Sequence, residues 1–232
     1  ALILSDLTKY DFRMLEMIEE FIFFAKIENK LSNEKINNAL KTFSTTGRFD
    51  TISYFQVTPD GQYICKLSSD PSKINGNYTN YHYVQNAVIY DQISFLAFGS
   101  NSLQRRFYVS KTIYNKRTHE LEGVLTISTS INELLKKVLI SETAPYPIHV
   151  SILTEEQVIF ESSHPDFSLK TLGKLTLSQL QKIEATNQFG QTKLPVDHIM
   201  KNVIKDTPNE QVFELQQDGK VYIAIFMPIP GT

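Results

Sequence analysis

"TISYFQVTPDGQYICKL", residues 51–67, decides how the chain folds. Upstream of it, apolar residues recur at three- and four-residue steps. Inside it they alternate, which is the period of a strand. "TISYFQV" and "QYICKL" read as paired strands, and Pro59-Asp60-Gly61 supplies the turn because Pro presets φ and Gly accepts φ > 0. Here the chain passes from helix to antiparallel sheet.

The upstream stretch, "SDLTKYDFRMLEMIEEFIFFAKIENKL" (5–31), has helical periodicity, with Leu7, Tyr10, Met14, Met17 or Ile18, Phe21, Phe24 or Ala25, and Leu31 along one stripe. No Pro or Gly occurs in residues 1–46, and only "LSNEK" interrupts the pattern. Ser32 or Asn33 there caps a second helix carrying Ile36, Ala39, Leu40 and Phe43, which Gly47 stops. A first helix of about 30 residues spans roughly 45 Å, more than one small domain requires.

Downstream of the hairpin comes a polar loop, "SSDPSKINGNYTNYH" (68–82), then a short helix near 81–91. "ISFLAFG", "RRFYVSKTIY" and "LEGVLTIST" follow as three more strands, and a five-stranded sheet with helices on one face is expected. "SINELLKKVLI" (130–140) reads as a helix, after which "SETAPYP" breaks the chain. The plan then repeats with fewer strands: "IHVSILT", "QVIFES", helical stretches "LTLSQLQKIEA" and "LPVDHIMKNVI" (194–204), and "EQVFELQQ" joined to "KVYIAIFMPI" by Asp218-Gly219. The expected class is α+β: a long helical segment over 1–46, then two units over 47–141 and 142–232.

Composition narrows the function. The 232 residues are 41% hydrophobic and 21% charged with a net charge of −2, so no basic field exists to hold nucleic acid. Cys65 is the only cysteine, which excludes an internal disulfide and a cysteine metal cluster. No G-x-S-x-G, H-E-x-x-H, P-loop or dinucleotide fingerprint occurs, and the five histidines form no i, i+4 pair. Neither catalysis, nor a cofactor, nor a metal is expected of this chain. No apolar run reaches the ~18 residues that span a bilayer, and the sequence begins in mid-pattern, as an excised segment would.

Four stretches together resemble the double Cache sensor domains, tandem PAS-like units of bacterial receptors. They are the long first helix leading into "FQVTPDGQYICKLSS", then "GNYTNYHYVQNAV" (76–88), "FYVSKTIYN…LEGVLTISTSINEL", and "VYIAIFMPIPGT". The resemblance covers nearly the whole chain. It implies a membrane-distal ligand-binding unit (47–141) and a membrane-proximal unit (142–232) lacking its last strand. It further implies flanking transmembrane helices outside the sequence, a periplasmic or extracellular location, and a homodimer through the first helix. The receptor would be a histidine kinase foremost, or a chemoreceptor or cyclic-dinucleotide enzyme. The alternative is a ligand-free dimerisation or partner-docking module.

The family grips ligands with an Arg in the segment matching "GNYTNYHYVQNAV" and with an Asp or Lys after Gly-Val-Val. Here those positions hold Asn80 and Ser128. A buried zwitterion needs a partner for each charge. The expected ligand is therefore a small polar molecule that is neither an α-amino acid nor a C4-dicarboxylate. The expected pocket comprises Tyr78, Asn80, His82, Tyr83, Phe98, Tyr108, Ser110 and Ser128. Tyr83 reads equally as a core ring, and His82 as a structural hydrogen-bonding residue. Alternation points Lys111 away, while Lys66 and Arg106 could restore an anion site from another direction.

Overall fold

The computed structural model describes residues 2–27, 31–47, 49–99, 104–132, 150–186, 188–189, 192, 194, 211–217 and 220–226. They fall in two compact units, one built on Asp6–Ile131 and one on Asn132–Pro230. The boundary expected at 141/142, most of the helices expected over 130–140 and 194–204, and the Asp218-Gly219 turn lie outside the described residues.

The first unit opens with α1 (Leu2–Ile27) and α2 (Asn33–Gly47). α1 buries Leu15, Ile18, Ile22 and Ala25, with Asp11 in the same row, a helical i, i+4, i+7 pattern. Where the sequence offered Met17 or Ile18 and Phe24 or Ala25, Ile18 and Ala25 are the buried ones, and Tyr10, Met17 and Phe24 are exposed at 47%, 44% and 62%. The helix is apolar around much of its circumference. The branched residues enter the core, and a second stripe of larger side chains is left outside. Ser32 caps α2, its Oγ accepting from Lys35 N at 3.4 Å.

Five strands form an antiparallel sheet in the order β2-β1-β5-β4-β3. They are β1 (Thr51–Val57), β2 (Tyr63–Ser68), β3 (Gln92–Phe98), β4 (Arg105–Tyr114) and β5 (Leu121–Ser130). Thr58 closes the first hairpin, its Oγ1 accepting from Gln62 N at 3.0 Å, and Gly61 takes φ +78°. A bulge at Lys66 then lets Cys65 pair with Phe55 and Leu67 with Tyr54. β1 is buried from Thr51 to Phe55 and β5 from Gly123 to Thr129, with no polar-out alternation. That pattern requires cover on both faces. α1 and α2 lie on one side, where Asn37 Oδ1 accepts from Ser68 N at 2.9 Å and Glu19 pairs with Lys111 at 2.8 Å. α3 (His82–Tyr90) lies on the other, packing Tyr83, Val84 and Ala87 against Phe55, Cys65, Tyr108 and Val124. The expectation of helices on one face only is thus corrected.

In the second unit β6 (Ser151–Leu153) pairs with β7 (Ile159–Ser162), α4 spans Leu177–Thr186, and β8 (Gln211–Gln217) pairs with β9 (Lys220–Phe226). Both ribbons are antiparallel.

Gly123 permits the closest approach within the first sheet. A Cβ there would collide with the Phe55 carbonyl oxygen and press on the Tyr54 ring, whereas one at Gly173 would meet open space. Gly123→Ala is therefore expected to cost more than about 2 kcal/mol in urea denaturation, with Gly173→Ala near neutral.

Candidate functional site

The α3 side of the sheet combines a stack of rings with a set of buried hydroxyls. Along β1, β4 and β5, every second residue faces α3. Phe55 lies 4.7 Å from Tyr78 between ring centroids, Tyr78 lies 5.1 Å from Tyr81, and Tyr81 lies 5.7 Å from Tyr83. Tyr83 then stacks on Tyr108 at 4.2 Å with planes 5° apart. The Tyr83 hydroxyl is buried and has no hydrogen-bond partner. Burial, then the neighbouring phenols, push its pKa well above 10.

On the same face, Ser110 and Thr126 share a hydrogen bond at 2.9 Å, Ser53 and Ser68 one at 3.0 Å, and Thr51 and Ser128 one at 2.6 Å. The Thr51–Ser128 pair is approached by two cations. Lys73 Nζ donates to Thr51 Oγ1 at 3.1 Å, and Arg106 Nη1 donates to Ser128 Oγ at 3.3 Å. Arg106 also pairs with Asp50 at 3.0 Å and donates to Gln104 Oε1 at 2.8 Å. Desolvation, then the like charge of Arg106, lowers the Lys73 pKa, and Asp70 and Asp50 only partly oppose this. This corner of the face is cationic and partly dry, so a carboxylate entering it gains two charge-assisted donors.

The expected pocket residues divide. Tyr78, Tyr83 and Tyr108 meet in the ring stack, Ser110 sits in the hydroxyl set, and Ser128 joins the cationic corner. His82 opens α3 with its ring 6.4 Å from Phe95. Asn80 is exposed, in the turn before α3. Phe98 alternates to the face opposite Ala97 and Phe95. Lys111 points to α1, as its register requires. Sequence reasoning passed over Tyr81, Phe55, Thr51 and Lys73. Tyr81 lies inside the ring-rich stretch and was legible. Lys73 reaches Thr51 only because Asp70 Oδ1 accepts from Ser72 N at 3.0 Å, forming a short 3₁₀ turn, and loop geometry of that kind leaves no periodic trace. Cys65 is a buried core residue whose thiol burial pushes up to about 11, too high for a nucleophile at neutral pH.

No family model and no curated protein matches the chain. Solved structures do. The periplasmic domain of RsbU from Chlamydia trachomatis superposes with TM-score 0.65 at 15% identity, over 99% of this chain and 88% of that one. The sensor domain of the Vibrio cholerae histidine kinase DctB gives 0.61 at 18%, over 88% and 77%. The ligand-binding domain of the Pseudomonas aeruginosa amino acid chemoreceptor PctC, in complex with GABA, gives 0.51 at 13%, over 97% and 93%. The chain has the fold of Cache-type sensor domains.

The exclusion of α-amino acids and C4-dicarboxylates is overturned. This fold holds isoleucine, an α-amino acid, in the Campylobacter jejuni chemoreceptor Tlp3 (TM-score 0.52 at 14% identity, over 94% of this chain and 84% of that one), and GABA in PctC. Here, moreover, charge absent at Asn80 and Ser128 is supplied by Lys73 and Arg106. Of the two cations expected to be able to restore an anion site from another direction, Arg106 does reach Ser128, and Lys73 joins it from a loop.

Removing the unpartnered phenol should help the ligand-free protein. Tyr83→Phe is expected to stabilise it by about 1 kcal/mol in urea denaturation, and a lower midpoint would mean that the hydroxyl has a partner.

Proposed function

We propose that the chain is the extracytoplasmic sensing region of a bacterial transmembrane receptor, and that it binds a small carboxylate between α3 and the sheet. The observation that carries this reading is the convergence of Lys73 and Arg106 on the buried Thr51–Ser128 pair, on the face that holds the unpartnered Tyr83 hydroxyl. The fold, shared with periplasmic sensors, supports the location and the role. The ligand carboxylate meets the two cations, and its body displaces or stacks on the tyrosines. β4 carries Arg106 on this face and Lys111, paired to Glu19 of α1, on the other. A shift of β4 on binding therefore reaches α1. The ligand biases the receptor only by its difference in affinity for the two arrangements.

A second reading, a module that binds no small molecule, is favoured by the packing of Tyr83 and Tyr108, each 2% exposed and stacked on one another. A thermal-shift panel of monocarboxylates, dicarboxylates, amino acids and neutral polyols separates the two. A ligand at 100 times its Kd adds about 2.7 kcal/mol, a shift of several degrees. The sensor reading expects a carboxylate hit that is lost in Lys73→Met and in Arg106→Gln. No hit leaves the second reading standing.

The bound anion needs a charged Lys73. Because its folded pKa is depressed, affinity should fall as pH rises through a value below the ordinary 10.5. Titration calorimetry between neutral and alkaline pH checks this.

The exposed row Tyr10, Met17 and Phe24, at seven-residue steps, is the homodimer surface in this reading. Met17→Lys combined with Phe24→Glu should shift the chain to monomer in sedimentation equilibrium.

A further inference from the structure

A cavity of about 350 Å³ lies on the face of the first sheet opposite the tyrosine stack. That volume is within the range of small-molecule sites. Its walls are Ile22 and Phe23 of α1, Tyr54 of β1, Ile113 and Tyr114 of β4, and Leu125 of β5. Two carboxylates, Glu19 and Glu122, also line it, and both residues are half-buried. The cations on its lining, Lys116 and Arg117, are instead exposed on the β4–β5 hairpin. Glu19 is paired with Lys111, so the remaining charges set one carboxylate, Glu122, inside and two cations outside.

The inner carboxylates are positioned. Asn115 Nδ2 donates to Glu122 Oε1 at 2.7 Å, and Tyr54 donates to the Glu122 carbonyl oxygen at 3.2 Å. Glu19 is fixed by Lys111. At the cavity rim an ammonium group already lies over a ring face: Lys116 Nζ sits 4.1 Å from the centre of the Phe23 ring. A ring face taking a cation, with carboxylates on the same wall, is the chemistry that recognises organic ammonium ions.

We propose that this cavity is a second binding site, for an organic cation with an apolar body, and that Lys116 occupies its cationic subsite when no ligand is bound. The incoming ammonium replaces Lys116 over Phe23 and faces Glu122, while its body lies against Ile22, Ile113 and Leu125. The hairpin that carries Lys116 moves outward to admit it. At 100° per residue, Glu19 and Phe23 lie roughly 140° around α1 from Tyr10, Met17 and Phe24. The Phe23 and Phe24 rings meet edge to face at 6.1 Å, so the exposed row borders the cavity without lining it. The proposal stands independently of the carboxylate reading, because it uses the other face of the sheet.

The test is calorimetric titration of the 232-residue chain with 2-phenylethylammonium and tetramethylammonium, against 2-phenylethanol and phenylacetate as matched neutral and anionic probes. Saturable binding of the cations alone is expected, weakened at least tenfold by Glu122→Gln. Lys116→Ala should tighten it two- to fivefold, since the internal competitor is gone. Tyr83→Phe should leave it unchanged. If Glu122→Gln fails to fold, Ile113→Phe, which fills the cavity from its wall, should abolish binding instead. Equal binding of the neutral probe, indifference to both wall variants, or loss of binding in Tyr83→Phe would each overturn the site.

Discussion

The first unit depends on one constraint: its central strands are covered on both faces. No residue of Thr51–Phe55 in β1 or Gly123–Thr129 in β5 can turn to water, so each must suit the layer it meets. Alternation sorts them. Ile52, Tyr54, Leu125 and Ile127 pack under α1 and α2, while Phe55, Val124, Thr126 and Ser128 face α3. A slip of one residue would exchange these sets and bury the hydroxyls against helix aliphatics. The bulge at Lys66 keeps β2 in step with this division.

The two layers acquire different chemistry from that sorting. The helix layer is mainly apolar, with Ile52, Leu125 and Ile127 beside the Tyr54 ring, and the Glu19–Lys111 pair lies at its margin. The α3 layer is built from hydroxyls that bond one another in pairs, and from Thr112, whose Oγ1 donates to the Ala87 carbonyl at 2.6 Å. A buried hydroxyl is tolerated only when paired, and pairing between neighbours nets about 1 kcal/mol each. These paired hydroxyls are satisfied without a ligand yet can exchange partners with one.

Much of this was legible where a single period governs the residue. "RRFYVSKTIY" gives β4 as observed, and the Pro59-Asp60-Gly61 turn was fixed by its own backbone demands. The outward direction of Lys111 followed from alternation alone. Legibility failed where two answers shared one pattern. α1 offers two apolar stripes, and the larger side chains of Tyr10, Met17 and Phe24 are not the buried ones. Phe98 was assigned to the wrong face because the phase of β3 depends on its pairing with β4, not on its own sequence. Lys73 was missed since it enters from a loop, across a separation of 22 residues from Thr51.

The same distinction explains why the charge argument about ligands failed. A motif records where relatives place a charge, whereas a ligand responds to charge wherever the fold delivers it. Lys73 and Arg106 come from a loop and a strand end, outside the positions given by the motif, and converge on the Thr51–Ser128 pair. Left without a ligand, this face carries a desolvated ammonium beside a like charge, and a phenol without a partner. Each is a cost that an anion with a hydrogen-bonding body removes, and a cost relieved only in the bound arrangement is a difference in affinity between two states. That difference is the sole quantity by which a ligand can shift a receptor. The features that make the α3 layer poor as a core are therefore those that would let it signal.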